Sequence, residues 1–116
     1  MDERIFKWLF DIKMSIDEIN EFFHNEEKDF FKYKNNIMLK RAVERNLEII
    51  GEAINPIVTR ENAYNDKITN AKSIIGLRNH VIHAYDNISD ENIWYILTNH
   101  LPKLKIEIEN LIQEAE

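Results

Sequence analysis

Cysteine is absent from the chain, which excludes disulfide staples and thiolate metal sites outright. Glycine and proline occur only twice each, so there are few turn-formers and few places to break an element. Scarce turns mean long elements, and that favours helices. No apolar run approaches the roughly 18 residues a membrane helix needs, and the N-terminal MDERIFKWLFDIK is too short and too charged for a signal peptide. A basic surplus is missing as well: 21 acidic residues face 15 basic ones, for a net charge of −6. That balance argues against strong non-specific binding to nucleic acid, though it leaves room for a local basic pocket or a dimer seam. What remains is the expectation of a soluble, cytoplasmic protein with one domain over residues 1–116.

Hydrophobic residues make up 44% of the chain, enough to build a core rather than a disordered coil. Ile5, Trp8, Leu9, Ile12, Ile16, Ile19 and Phe23 recur in steps of three and four, which predicts a first helix with Lys7, Asp11, Lys13, Asp17, Glu18 and Glu21 on its wet face. The polar stretch from His24 to Asp29 reads as a connection. Phe30, Phe31 and Tyr33 suggest a short extra turn. A second helix, capped by Asn35 or Asn36, runs through Leu39, Ala42, Val43, Leu47, Ile50, Ala53 and Ile54. Asn55-Pro56 discourages its continuation, and Thr59 to Lys67 reads as a polar loop. Gly51 inside that helix points to close packing.

A third helix is predicted over Thr69 to Tyr85, with Ile68, Ala71, Ile75, Ile82 and Tyr85 on one side and Asp86-Asn87 as its break. The fourth starts at Ser89 as N-cap, with Asp90 and Glu91 at the positive end of the helix dipole and Ile88 stapled onto Ile93. Its stripe continues through Ile96, Leu97, Leu101, Leu104, Ile108, Leu111 and Ile112. Pro102 lies within it, predicting either a kink or two helices meeting there. The fold class that follows is all-α, an antiparallel bundle of four to five helices.

The stretch Arg78-Asn79-His80-Val81-Ile82-His83-Ala84-Tyr85 stands apart. On a helix at about 100° per residue, with Arg78 at zero, Asn79 falls near 100°, His83 near 140° and Tyr85 near −20°, while His80 lies outside at about 200°. A guanidinium, an amide, an imidazole and a phenol thus share one arc, which is more than bundle packing requires. Arginine matches phosphate with a planar fork of donors, and histidine exchanges protons near neutral pH. Together they suit metal-free RNA cleavage, the imidazole taking the proton of an attacking ribose 2′-hydroxyl and the guanidinium offsetting charge on the phosphate. One histidine is thin for both acid and base, so a symmetric dimer pairing two such faces is expected.

Arg78, Asn79, His83 and Tyr85 fit the pattern R-N-x-x-x-H-x-Y, which resembles the HepT branch of the HEPN superfamily. Glu44 to Ala53 (ERNLEIIGEA) is similar to that family's second-helix signature, and Asn92-Ile93-Trp94 with Leu101-Pro102-Lys103-Leu104 to its C-terminal half. The resemblance covers most of the chain. It implies a HEPN-like helical bundle that dimerises through the motif face, placing two arginine–histidine motifs in one cleft. It also implies a metal-independent endoribonuclease toxin with Arg78 and His83 essential and Asn79 assisting, acting on RNA and not on DNA, with no cofactor. The expected partner is an MNT-type nucleotidyltransferase antitoxin that transfers AMP to Tyr85. The rival expectation is a non-catalytic module serving such a nucleotidyltransferase as a regulatory subunit, which the acidic net charge favours.

Plainer roles compete for each residue. Arg78 alone reads as a surface or capping arginine and His83 alone as a core histidine; their joint occurrence with Asn79 and Tyr85 turns the balance toward a site. Tyr85 also continues an apolar stripe, so packing with an exposed hydroxyl is equally consistent. His80 and His83 lack a third ligand, and Glu21-x-x-His24 supplies only one of the two carboxylate–histidine motifs a di-iron bundle needs, so no metal site is expected. Glu48 and Glu52 read as solvated or packing residues before catalytic ones. Trp8 and Trp94 read as core or dimer anchors before base-stacking platforms.

Overall fold

The computed structural model describes residues 2–24, 28–69, 71, 74 and 90–115. Helix α1 spans Glu3–Phe22, α2 Phe30–Lys34, α3 Ile37–Arg60, α4 Tyr64–Lys67 and α5 Asp90–Tyr95; a π-helical turn, Ile96–His100, leads without a break into α6, Leu101–Ala115. No strand occurs among the described residues. The all-α class follows.

Each start has a physical cause. The Asp2 carboxylate accepts the Arg4 N–H at 2.8 Å and opens α1. Asp29 does the same for Phe31 and Lys32 at the head of α2. Of the two predicted caps for α3, Asn36 serves, its side-chain oxygen accepting the Leu39 N–H at 3.0 Å. At the far end of α1, His24 takes a left-handed backbone (φ 56°) and donates its N–H to the Glu21 carbonyl at 2.8 Å. Glu21 and His24 are exposed there.

The core is the predicted stripe made solid. Ile5, Leu9, Ile12, Ile16 and Ile19 of α1 are buried against Val43, Leu47, Ile50, Ile54 and Ile57 of α3 and Leu101, Leu104 and Ile108 of α6. α1 packs most extensively on α3 and next on α6. Pairings fix the directions. Asp2, before α1, meets Arg60 at the end of α3 at 3.1 Å, and Asp17, late in α1, meets Lys105, early in α6, at 3.6 Å. Both neighbours therefore run antiparallel to α1. Gly51 is buried in α3 with an ordinary helical backbone, consistent with the close packing predicted for it.

Three departures from the sequence reading have identifiable reasons. Asn55-Pro56 does not end the second helix: α3 continues to Arg60 with Pro56 inside. The continuation buries Ile57 completely and packs Val58 against the core; at about 1.5–3 kcal/mol for one fully buried side chain, the two together offset the ~3 kcal/mol of an interior proline. The carbonyl left without its usual donor belongs to Glu52, an exposed residue that water can satisfy. The polar stretch from Thr59 to Lys67 is not wholly loop, because Tyr64 is buried and starts the four-residue α4. The irregularity at Pro102 takes the form of the π turn just before it. There the Leu101 N–H reaches back five residues to the Ile96 carbonyl, while Thr98 Oγ1 and Asn99 Nδ2 donate to the carbonyls of Trp94 and Tyr95 at 3.0 and 3.1 Å.

Candidate functional site

Arg78, Asn79, His80, His83 and Tyr85 lie outside the described residues, as do the predicted Asp86-Asn87 break, the Ile88 staple and the Ser89 cap. The described residues show how the stretch carrying the motif is held at its two ends. On the entry side, Ile68, Ala71 and Ile74 are buried in the core. Thr69 donates both its backbone N–H (3.2 Å) and its hydroxyl (2.5 Å) to the Glu107 carboxylate of α6.

The exit is fixed by charge and by aromatic packing. Lys40 of α3 places its Nζ 3.0 Å from Oδ1 and 3.1 Å from Oδ2 of Asp90, the first residue of α5. Both side chains are largely covered (26% and 22% exposed), so the pair is less screened than a surface bridge. The sequence marked Asp90 only as a helix-dipole residue; its partner is 50 positions away and left no local signal. Four residues on, Trp94 is half-buried among three rings, with centroids 5.9 Å from Phe23, 5.4 Å from Phe30 and 5.5 Å from Tyr33. Trp94 is thus an anchor of the core.

Two titratable groups sit beneath this junction. Tyr33 is fully buried and its hydroxyl has no hydrogen-bond partner among the described residues. Burial, reinforced by the nearby carboxylates of Glu44 and Asp90, raises the phenol above its ordinary value. Burial also raises the Glu44 carboxyl, opposed by Lys40 and abetted by Asp90. Of the other carboxylates considered, Glu48 pairs with Arg45 at 2.9 Å and Glu52 approaches the same guanidinium at 3.8 Å. Both belong to a surface cluster on α3. Trp8 is half-buried, with the Arg60 guanidinium 5.9 Å from its ring centroid.

The chain was compared with known proteins. Residues 12–111 match the family model described as "Ribonuclease HepT-like", a span that contains the whole Arg78–Tyr85 motif and both of its anchors. A protein of Methanocaldococcus jannaschii named "Putative RNase MJ1380" is 38% identical over 104 residues, covering 88% of this chain and 91% of that protein. A second from the same organism, "Putative RNase MJ0125", is 31% identical over 109 residues, covering 94% and 91%. A third, "Putative RNase TTE0752" of Caldanaerobacter subterraneus, is 31% identical over 79 residues, covering 68% and 70%. No solved structure matches the chain significantly. The family match over residues 12–111, with relatives 31–38% identical over most of their length, leaves one conclusion: the chain belongs to the HepT-like ribonuclease family.

Proposed function

We propose that this protein is a metal-independent endoribonuclease whose reacting groups are Arg78 and His83, with Asn79 assisting. The observation that carries the reading is the intact R-N-x-x-x-H-x-Y arrangement, Arg78 to Tyr85, inside the ribonuclease family match over residues 12–111. His83 takes the proton of a ribose 2′-hydroxyl as its oxygen bonds to the adjacent phosphorus and the bond to the 5′-oxygen of the next nucleotide breaks. The products are a 2′,3′-cyclic phosphate and a 5′-hydroxyl. Arg78 offsets the charge that grows on the phosphate oxygens. A second copy, its motif face against the first, supplies the imidazole that protonates the leaving oxygen. In this reading the protein is the toxin of a toxin–antitoxin pair. Its antitoxin is an MNT-type nucleotidyltransferase that adenylylates Tyr85, adding bulk and negative charge beside Arg78.

The net charge of −6 favours a second reading, a non-catalytic regulatory subunit of that nucleotidyltransferase. Cleavage of total cellular RNA by the purified protein, beside Arg78→Ala and His83→Ala and with chelator throughout, separates the two. The enzyme reading expects cleavage by wild type that either substitution reduces at least a hundred-fold, on the scale of a lost general base. Intact RNA with wild type, when intact mass shows no AMP on Tyr85, supports the regulatory subunit instead.

A further inference from the structure

The corner where α2 meets α5 and the π turn holds chemistry that the motif does not use. An open cleft of about 330 Å³ there is lined by Phe30, Glu91, Trp94, Tyr95, Thr98 and Asn99. Trp94 is held by its ring contacts, but two neighbouring aromatic rings face water: Tyr95 is 57% exposed and Phe31 74% exposed. At 100° per residue, α2 sets Phe31 between Lys34 on one side and Lys32 on the other, with Tyr33 turned into the core. Lys34 Nζ lies 6.0 Å from the Phe30 centroid. Neither Lys32 nor Lys34 forms an ion pair among the described residues.

Asp29 is engaged in capping α2, and Asp90 in holding Lys40. Glu91 lines the cleft. Asn99 commits its amide hydrogens to the Tyr95 carbonyl and Thr98 Oγ1, each at 3.1 Å. Its Oδ1 is left as an acceptor. The Thr98 hydroxyl hydrogen goes to the Trp94 carbonyl at 3.0 Å. The cleft therefore combines aromatic faces with acceptors, and Lys34, over the Phe30 ring, brings an ammonium group to its edge. Glu91 follows Tyr85 by six residues, which bounds their Cα separation at about 21 Å whatever path the chain takes.

We propose that this cleft is a nucleobase subsite for single-stranded RNA, flanking the cleavage site. One base stacks against Tyr95 while Lys34, beside Phe30 at the cleft's edge, holds an adjacent phosphate. The acceptors Glu91 and Asn99 take hydrogen bonds from an exocyclic amine, so adenine, cytosine and guanine are favoured over uracil, which has none. The inference rests on the ribonuclease reading and deepens it, naming how the substrate strand is gripped.

Fluorescence anisotropy of the full chain with short 2′-O-methyl RNA homopolymers, which cannot cleave through a 2′-hydroxyl, tests it. Wild type is expected to bind oligo-A and oligo-C more tightly than oligo-U. Tyr95→Ala is expected to weaken binding by about five- to a hundred-fold, the range for one lost stacking platform, and Tyr95→Phe to retain it. Glu91→Ala, which deletes one of the two acceptors, narrows the preference over uracil. Lys34→Gln, at an exposed position, lowers the salt slope of log affinity by about 0.7. Unchanged binding in the Tyr95→Ala and Lys34→Gln variants, alongside wild-type RNA cleavage that still needs His83, overturns the subsite and leaves the ribonuclease standing. Wild type that neither binds nor cuts RNA overturns both. Variants that lose self-association while keeping RNA affinity assign the surface to a second copy of the chain and also overturn the proposal.

Discussion

Replacing Tyr33 with phenylalanine deletes a single oxygen from the largest fully buried side chain among the described residues. The ring keeps its place against Trp94 at 5.5 Å, so little packing is lost. The oxygen removed makes no hydrogen bond to any described residue, whereas in the unfolded chain water satisfies it. Burying an unpaired hydroxyl costs about 1–3 kcal/mol on mutational scales, so Tyr33→Phe is expected to stabilise the fold by that amount. An unfolding entropy of about 2.1 cal/mol/K per residue makes 1 kcal/mol worth roughly 4 °C in a chain of this length. The melting temperature should therefore rise by about 4–12 °C.

Circular dichroism melts and urea titrations at pH 7 measure the change, with an unchanged m-value showing that the effect lies in stability and not in compactness. A pH series gives an independent check. Burial raises the folded-state value of Tyr33 above its unfolded value of about 10. The neutral phenol's contribution is full below pH 10 and is lost as the pH climbs through the folded-state range. The advantage of Tyr33→Phe over wild type should therefore widen above pH 10. A substitution that destabilises the protein at pH 7, or an advantage that shrinks in alkali, refutes the reasoning and shows that the hydroxyl is satisfied.

Two further outcomes follow from the same junction. Asp90→Asn and Lys40→Met should each cost about 1–3 kcal/mol, the scale of hydrogen bonds to a charged group. In a double-mutant cycle the two losses should be less than additive; strict additivity shows that the pair is not coupled. Glu44→Gln should raise the melting temperature at pH 7, because burial lifts the folded-state value of Glu44. The protonated carboxyl is the form the fold prefers, so this advantage fades below about pH 4, where the unfolded carboxyl is protonated too. An advantage that persists in acid contradicts the assignment.

The apolar periodicities of the chain were enough for the outer course of the fold. Ile5 to Phe23 place α1, Leu39 to Ile54 place most of α3, and Ile93 to Ile112 place the C-terminal helical run, because a helix that buries one face writes that stripe directly into sequence. Capping chemistry was equally readable at Asn36, and the paired phenylalanines at α2 gave the extra turn. Of the candidate site the sequence carries only the spacing R-N-x-x-x-H-x-Y over Arg78, Asn79, His83 and Tyr85, a stretch the family match encloses and that lies outside the described residues.

Local chemistry misjudged the positions where a distant contact outweighs it. Proline 56 predicts a stop, yet burial of Ile57 against α1 carries the helix onward. Tyr64 sits in a polar stretch, yet its ring is wanted by the core. The Lys40–Asp90 pair, the Thr69–Glu107 bond and the aromatic nest around Trp94 join residues far apart in sequence, so no window of neighbours could contain them. Periodicity and caps record interactions within one turn of backbone. The tertiary structure alone decides which helix faces meet, and with that which local rules are overruled.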